Sequence, residues 1–370
     1  MSYIFLCVPK IITGVGCLES LKDEAPRLGR SGLLVTGRTA MKKAGITERV
    51  TRLLQQAGLS VTLFDQVEAE PDVTTIDRGR ELASHSSAEV VIGLGGGSAL
   101  DAAKAIAGLA DEQASTEAFH GETKPAGTGI PFLAIPTTSG TGAEVTPNAV
   151  ITNRARLVKK SIRHDSFLAK LVILDPELTL PLPPALTAYT GMDALTQAIE
   201  SFTSIHATPI TDGLAFEAAR LILGGLPRAF EDGSDIEARE KMAYGSLLAG
   251  IALANARLGA VHGLAHPLGV RYRIPHGLVC AILLPAVMKF NREAAQAKYA
   301  RLSELVGEDI IEHMEKLLRL LKIPSSFRDY RIPELDFPEI VAESMPSGSL
   351  KANPRKLTQA DLYHILKQVC

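Results

Sequence analysis

The stretch Val90-Val91-Ile92-Gly93-Leu94-Gly95-Gly96-Gly97-Ser98-Ala99-Leu100-Asp101-Ala102-Ala103-Lys104 constrains the fold of this chain more than any other. A short β-branched run with no polar alternation predicts a strand buried on both faces, which belongs to a parallel sheet covered by helices. The strand runs into three consecutive glycines and then into a small-residue helix. Glycines permit positive φ and close approach of a ligand, and a helix start leaves N–H groups facing outward in a field that favours anions. A ligand-free turn would also use glycine, and the spacing is not G-x-G-x-x-G. Three glycines exceed what a turn needs, so a diphosphate site is the preferred reading, with Gly95, Gly96, Gly97, Ser98 and Asp101 as candidate cofactor contacts.

Further strands are expected at residues 32–36, 60–64, 131–135 and 171–174, with helical spacing at 46–57 and 75–84. This alternation predicts an α/β domain over residues 1–180. A second turn, Pro136-Thr137-Thr138-Ser139-Gly140-Thr141-Gly142, follows one of these strands and gathers hydroxyls that could bond phosphate, ribose or amide; Thr137, Thr138 and Thr141 join the candidate cofactor set. Beyond Pro181-Leu182-Pro183-Pro184 the texture changes to Ala/Leu-rich stretches at 212–223, 236–256 and 302–321, so residues 181–370 are read as all-helical. Residues 336–355 read as a loop before a last helix at 359–368.

Composition enters mainly through what it excludes. A chain of 370 residues with 46% apolar content can bury two cores, and a formal net charge of -2 offers no footprint for a phosphate backbone. The partner is therefore expected to be a small molecule or another copy of the chain, not nucleic acid. Cys7, Cys17, Cys280 and Cys370 are scattered without C-x-x-C spacing and read as incidental thiols of a reducing compartment, so the cytoplasm is the expected location. The run Met1-Ser2-Tyr3-Ile4-Phe5-Leu6 has no basic flank and is too short for a signal sequence, and no later run approaches the length of a membrane span.

The helical half carries its own constellation. Asp193 and Gln197 stand i,i+4 and share a helix face, His262 and His266 repeat that spacing, and His276 follows. Unpaired imidazoles are costly in apolar surroundings, and a metal is one way to satisfy them. A single histidine would be read as a core or capping group; three with an upstream aspartate point to a divalent metal. The position after His262 is Gly263, which excludes the H-E-x-x-H pattern of metalloproteases.

Taken together, Pro9-Lys10-Ile11-Ile12-Thr13-Gly14, Gly95-Gly96-Gly97-Ser98, Thr137 to Glu144, Asp175-Pro176-Glu177-Leu178-Thr179, His262-x3-His266-x9-His276-Gly277 and Asn353-Pro354-Arg355 resemble the iron-containing (group III) alcohol dehydrogenases across nearly the whole chain. Glycerol dehydrogenase and dehydroquinate synthase are more distantly similar. The resemblance implies an α/β nucleotide-binding domain followed by a helical domain, and a metal held by an aspartate and three histidines. Asp193, His262 and His276 match three of these ligands, and Gln197 stands where the family has its other histidine. An amide oxygen is a poorer ligand than imidazole for Fe²⁺ or Zn²⁺. His266 matches a histidine assigned to proton relay, and Lys160 a lysine near the cofactor; sequence alone would leave Lys160 a solvated surface cation.

The implied reaction is metal-assisted hydride transfer between NAD(P) and a small alcohol or aldehyde, with His266, Lys160 and Asp193 as catalytic candidates. In many NAD-using members an acidic residue after the first nucleotide-domain strand holds the ribose. Here that run is Val35-Thr36-Gly37-Arg38-Thr39, so the carboxylate is replaced by glycine beside an arginine. Removing the repulsion and supplying a cation favours NADP(H) over NAD(H). Two other readings stay open on the residues: a lyase or cyclase of the dehydroquinate synthase kind, and a nucleotide-binding protein whose metal site has degenerated at Gln197. A homodimer is expected by resemblance.

Overall fold

The computed structural model describes residues 3–121, 123–156 and 158–370. Met1 and Ser2, part of the N-terminal run considered above, lie outside the described residues. Two compact units make up the chain: Cys7–Thr138 with Gly142–Pro181, and Leu182–Cys370 with Ser139–Thr141 and residues 3–6.

The first unit is built on a parallel sheet. Its strands are β1 (Ile11–Thr13), β2 (Ser31–Gly37), β3 (Ser60–Val67), β4 (Val90–Gly95), β5 (Phe132–Pro136) and β8 (Leu171–Leu174), in spatial order β1-β8-β5-β4-β2-β3. A separate antiparallel pair joins β6 (Asn148–Asn153) to β7 (Val158–Arg163). The sequence reading missed β1, β6 and β7; β1 spans only three residues, β6 is bounded by asparagines, and β7 carries a charged, exposed face. Helices α1 (Leu21–Glu24), α2 (Ala40–Lys43), α3 (Ile46–Gln56), α4 (Val73–His85) and α5 (Gly97–Gly108) complete the main elements of this unit. Every residue of β4 is buried, as a strand covered on both faces requires. On α3, Ile46, Val50, Leu53 and Leu54 turn one stripe inward and join the core under β2, β4, β5 and β8.

Strand order decides where a ligand can sit. From β2 the chain steps to β3 on one side and then crosses back, through α4, to β4 on the other. This reversal opens a crevice beyond the carboxyl ends of β2 and β4, the usual ligand position in open α/β sheets. Thr36 pairs with Leu94 and Gly95 with Pro136, so the segments after β2, β4 and β5 lie side by side at one sheet end.

The second unit is helical: α6 (Pro184–Thr203), α7 (Pro209–Glu231), α8 (Ile236–Ala256), α9 (Ala260–Tyr272), α10 (His276–Asn291), α11 (Gln296–Val306), α12 (Ile310–Leu320), α13 (Phe337–Ser344), α14 (Gly348–Ala352) and α15 (Gln359–Val369). It has its own core, in which Met192, Leu195, Phe202, Ile222, Leu264, Leu283 and Leu366 are buried. The Ala/Leu-rich stretch 302–321 holds two helices, because Gly307 ends α11 at φ 72° and Asp309 starts α12 by accepting from the N–H groups of Ile311 and Glu312. One expectation is corrected here. The loop read over 336–355 contains α13 and α14; its Pro338 lies in the first turn of α13, where a missing N–H costs nothing, while Phe337, Ile340 and Val341 are buried. Among the described residues, no single helix is long and apolar enough to cross a membrane.

Candidate functional site

In the helical unit, α6, α9 and α10 converge on one cluster. Asp193 and Gln197 occupy successive turns of α6, and both are buried. His262 lies in the first turn of α9, His276 begins α10, and His266 stacks on His276 at a ring separation of 5.3 Å. Asp193 Oδ1 is 3.2 Å from Nε2 of His262 and 3.8 Å from Nε2 of His276. The close approach of α10 depends on Gly277: a Cβ there would lie 2.1 Å from the carbonyl oxygen of Tyr189, in the turn of α6 that precedes Asp193. His276 is thereby brought against the face of α6 that carries Asp193.

Behind His262 stands Glu200, two turns beyond Asp193 on the same face of α6. Its Oε2 is 2.7 Å from His262 Nδ1 and its Oε1 accepts the Val261 N–H at 2.7 Å. A carboxylate on Nδ1 keeps the proton there and leaves the Nε2 lone pair for a metal, the arrangement common behind ligating histidines. Asn353 continues the scaffold: it accepts from the Ala260 N–H at 3.2 Å and pairs reciprocally with Asn291 at 2.8 and 2.9 Å. The Asn353-Pro354-Arg355 motif therefore fastens the start of α9.

The electrostatics ask for a cation. Burial works against the Asp193 carboxylate, yet His262, His276 and the donated Gln197 amide hold it below the usual carboxylate range. Burial likewise disfavours a His262 cation, but Cys280, Asp193 and Glu200 outweigh it and raise His262 well above an ordinary imidazole. Gln197 Oε1 is buried with no hydrogen-bond partner in the structure. One member of the cluster was missed in the sequence: Cys280, whose Sγ lies within 4.8 Å of the donor atoms of Asp193, His262 and His276. Its i,i+4 spacing from His276 is the signal in the sequence, obscured because a lone cysteine outside a C-x-x-C pattern does not announce a metal. An oxygen, two imidazole nitrogens and a sulfur within that radius suit a divalent transition metal.

In the α/β unit, the three candidate cofactor segments follow three neighbouring strands. Gly95 has φ 145°, and a Cβ on it would lie 2.8 Å from that of Ala99; a Cβ on Gly96 would press on Thr138 at 3.1 Å. Both glycines are required by close packing of the turn against Ala99 and Thr138. Gly96 caps α5 without any side-chain bond to the first N–H groups, and residues 96–98 are partly exposed at the end of an otherwise buried strand. A diphosphate fits such a start. Ser98 donates its hydroxyl to the Ala69 carbonyl. Thr137 is buried and Thr138 partly so, while Thr141 is exposed and belongs with the helical unit.

Beyond Gly37, the exposed Arg38 lines a cavity of about 270 Å³ together with Glu68, Asp72, Thr74, Thr75, Arg78 and Arg154. The sequence reading had singled out Arg38 and Thr39 but not Arg78 or Arg154, which lie 40 or more residues away and are gathered only by the fold. Asp101 is engaged within the protein: its Oδ2 accepts the Val150 N–H at 3.1 Å and its Oδ1 pairs with Lys104 at 3.5 Å. Lys160 lies on the exposed face of β7, and its Nζ donates to the His120 carbonyl at 3.1 Å. The Asp175-Pro176-Glu177 motif is structural, since Asp175 accepts from the N–H groups of Gly16, Leu18 and Glu177 and ties β8 to the turn after β1.

A glycine-lined crevice at a sheet reversal and a buried carboxylate–imidazole cluster are together the parts of a metal-dependent dehydrogenase. Residues 9–176 match the family described as iron-containing alcohol dehydrogenase, and residues 187–370 match the Fe-containing alcohol dehydrogenase family, C-terminal. The chain is 32% identical to the NAD-dependent methanol dehydrogenase of Bacillus methanolicus, over 98% of each protein. It is 36% identical to the NADPH-dependent butanol dehydrogenase of Clostridium saccharobutylicum, over 97% of this chain and 96% of that one. The crystal structure of a 1,3-propanediol oxidoreductase superposes with a TM-score of 0.95 at 35% identity, covering 100% of both chains.

The chain belongs to the iron-containing alcohol dehydrogenase family and is an NAD(P)-dependent oxidoreductase. The lyase reading is set aside on that ground. The relatives differ in named cofactor and substrate, so both choices rest on residues of this chain.

Proposed function

We propose that the chain interconverts a small alcohol and its aldehyde or ketone, using NADP(H) in preference to NAD(H) and a divalent ion held by Asp193, His262 and His276. The observation that carries this reading is the cluster of these three side chains, Asp193 and His262 buried and His276 partly so, with Glu200 behind His262. Such an ion, when bound, supplies Lewis acidity able to bring a hydroxyl pKa from about 16 to about 7 and to polarise a carbonyl in reverse. The protein's own residues do the rest. Glu200 and Asn353 fix the start of α9 and the tautomer of His262. His266 would pass a proton from the site toward water, a reading supported by its partial exposure and its stacking on His276. Gly95, Gly96, Gly97 and Ser98 receive the diphosphate at the start of α5, with Thr137, Thr138, Thr141 and Lys160 serving the nicotinamide half.

Support for NADP(H) comes from the cavity beside Gly37. Three guanidinium groups, Arg38, Arg78 and Arg154, line it against two carboxylates, and no acidic side chain follows β2 to repel a 2′-phosphate. Removing one charge-assisted bond costs about 1.5–3 kcal/mol, roughly 10- to 150-fold. Arg38→Ala is therefore expected to lower kcat/KM for NADPH by about that factor while leaving NADH use nearly unchanged; steady-state kinetics with both cofactors over an aldehyde panel is the test. Equal losses with the two cofactors would count against a 2′-phosphate contact.

A further inference from the structure

We infer that Cys280 is a thiolate ligand of the divalent ion, completing the set begun by Asp193, His262 and His276, so that the site favours zinc over iron; this rests on the metal reading above. Geometry is the first ground. Zinc bonds of about 2.0–2.1 Å to nitrogen or oxygen and about 2.3 Å to sulfur give a tetrahedron with edges of about 3.3–3.6 Å. Four edges of the cluster measure 3.2 Å (Asp193 to His262), 3.8 Å (Asp193 to His276), 3.7 Å (Cys280 to His276) and 3.9 Å (Cys280 to His262). These four edges lie close to those lengths and all four donor atoms lie within 4.8 Å of one another, so the side chains would have to draw together around the ion. Cys280 is one turn after His276 on α10, so the helix presents both donors on one face, and its side chain is completely buried against the two imidazoles.

The donor chemistry is the second ground. Gln197 stands on the same face of α6 as Asp193, and it donates its amide to that carboxylate. As a metal ligand its amide oxygen would be weak and neutral. A thiolate is anionic and soft, and selects zinc among the ions available to nitrogen–oxygen sites. With Asp193 and Cys280 both anionic, the charges of a divalent ion and its ligands cancel, and the substrate oxygen of the proposed reaction would join as a fifth ligand. Binding breaks the Sγ–H bond, forms one sulfur–metal bond and releases one proton to water.

The test uses the full-length protein, stripped with chelator and reloaded with one equivalent of Co²⁺ or Zn²⁺. Expected are a thiolate-to-cobalt charge-transfer band in the near ultraviolet, absent in Cys280→Ser, and one sulfur scatterer at about 2.3 Å in X-ray absorption of the zinc form. Cys280→Ser should lose at least about 100-fold in zinc affinity, more than loss of a supporting hydrogen bond costs, and Gln197→Ala far less. Stoichiometric cobalt in the unaltered protein without the band, or a zinc shell of nitrogen and oxygen alone, would overturn the assignment to Cys280 while leaving the three-residue site standing. No uptake of either ion would overturn both. The unaltered protein's spectra decide the matter even if the serine variant misfolds.

Discussion

Glu200 meets the cluster at His262 and sets that residue's ring orientation and tautomer through a 2.7 Å contact between two buried side chains. Glu200→Gln keeps the shape and removes the charge, and is expected to weaken metal affinity by about 10- to 100-fold, the usual cost of disturbing a partner behind a ligating histidine. Competition with a chromophoric chelator reads this directly, and unchanged affinity would mean that Glu200 serves only to cap α9. His266 is expected to behave differently. His266→Ala should retain its metal while kcat falls about 10²- to 10⁴-fold, the range of general acid–base help, with the loss partly restored by added imidazole. Asp193, His262 and His276 could be read from spacing because each is a residue type with few other uses in an apolar helix. Glu200 and Cys280 could not, although both keep helical register with a recognised neighbour, because neither type announces a metal on its own.

At the scale of elements, the site depends on how closely α10 can lie against α6. Gly277→Ala would place a methyl 2.1 Å from the Tyr189 carbonyl oxygen, which is backbone and cannot step aside. Displacing α10 is expected to cost on the order of 1–3 kcal/mol and to move His276 and Cys280 out of reach of Asp193. Gly213→Ala, where nothing lies within 4 Å of the added Cβ, is the control and should be neutral or slightly stabilising. Melting curves and bound metal measured on both variants separate the two outcomes.

The α/β unit holds a second buried polar group, in which α5 is fastened to β6. Lys104 Nζ donates to Thr146 at 3.1 Å and to the Asn148 carbonyl at 2.7 Å, beside Asp101 and Glu144. Burial pushes Glu144 up to about 7. A carboxyl raised on folding contributes stability that is fully present below its unfolded value of about 4.5 and is lost as pH rises through about 7. Glu144→Gln should therefore be stabilised relative to the parent, on the order of 2 kcal/mol at pH 8, with the difference vanishing near pH 4.5. A melting-temperature difference that does not change with pH would contradict this. These features mark where the sequence was legible and where it was not. The buried strands and the glycine turn declare themselves within a dozen residues. The break at Gly307 and the cap at Asp309 were present but were outweighed by the apolar spacing on either side of them. The Lys104 group and the Arg38–Arg78–Arg154 cavity join residues remote in sequence, which one chain's pattern does not pair.

For the whole molecule, two separate cores support two separable tasks: the α/β unit presents cofactor-binding segments at the ends of β2, β4 and β5, and the helical unit presents the metal cluster. Turnover needs both, so chelation should abolish NADPH oxidation while leaving cofactor binding intact, and restoring the ion should return activity. The most direct test of the central claim is metal content by elemental analysis on protein purified without chelator or added metal, run beside NADPH oxidation over an aldehyde panel for the parent and for His262→Ala. The expected result is about one divalent ion per chain in the parent, activity that tracks occupancy, and neither metal nor turnover in the variant. Full activity in metal-free protein, or undiminished turnover in His262→Ala, would contradict it.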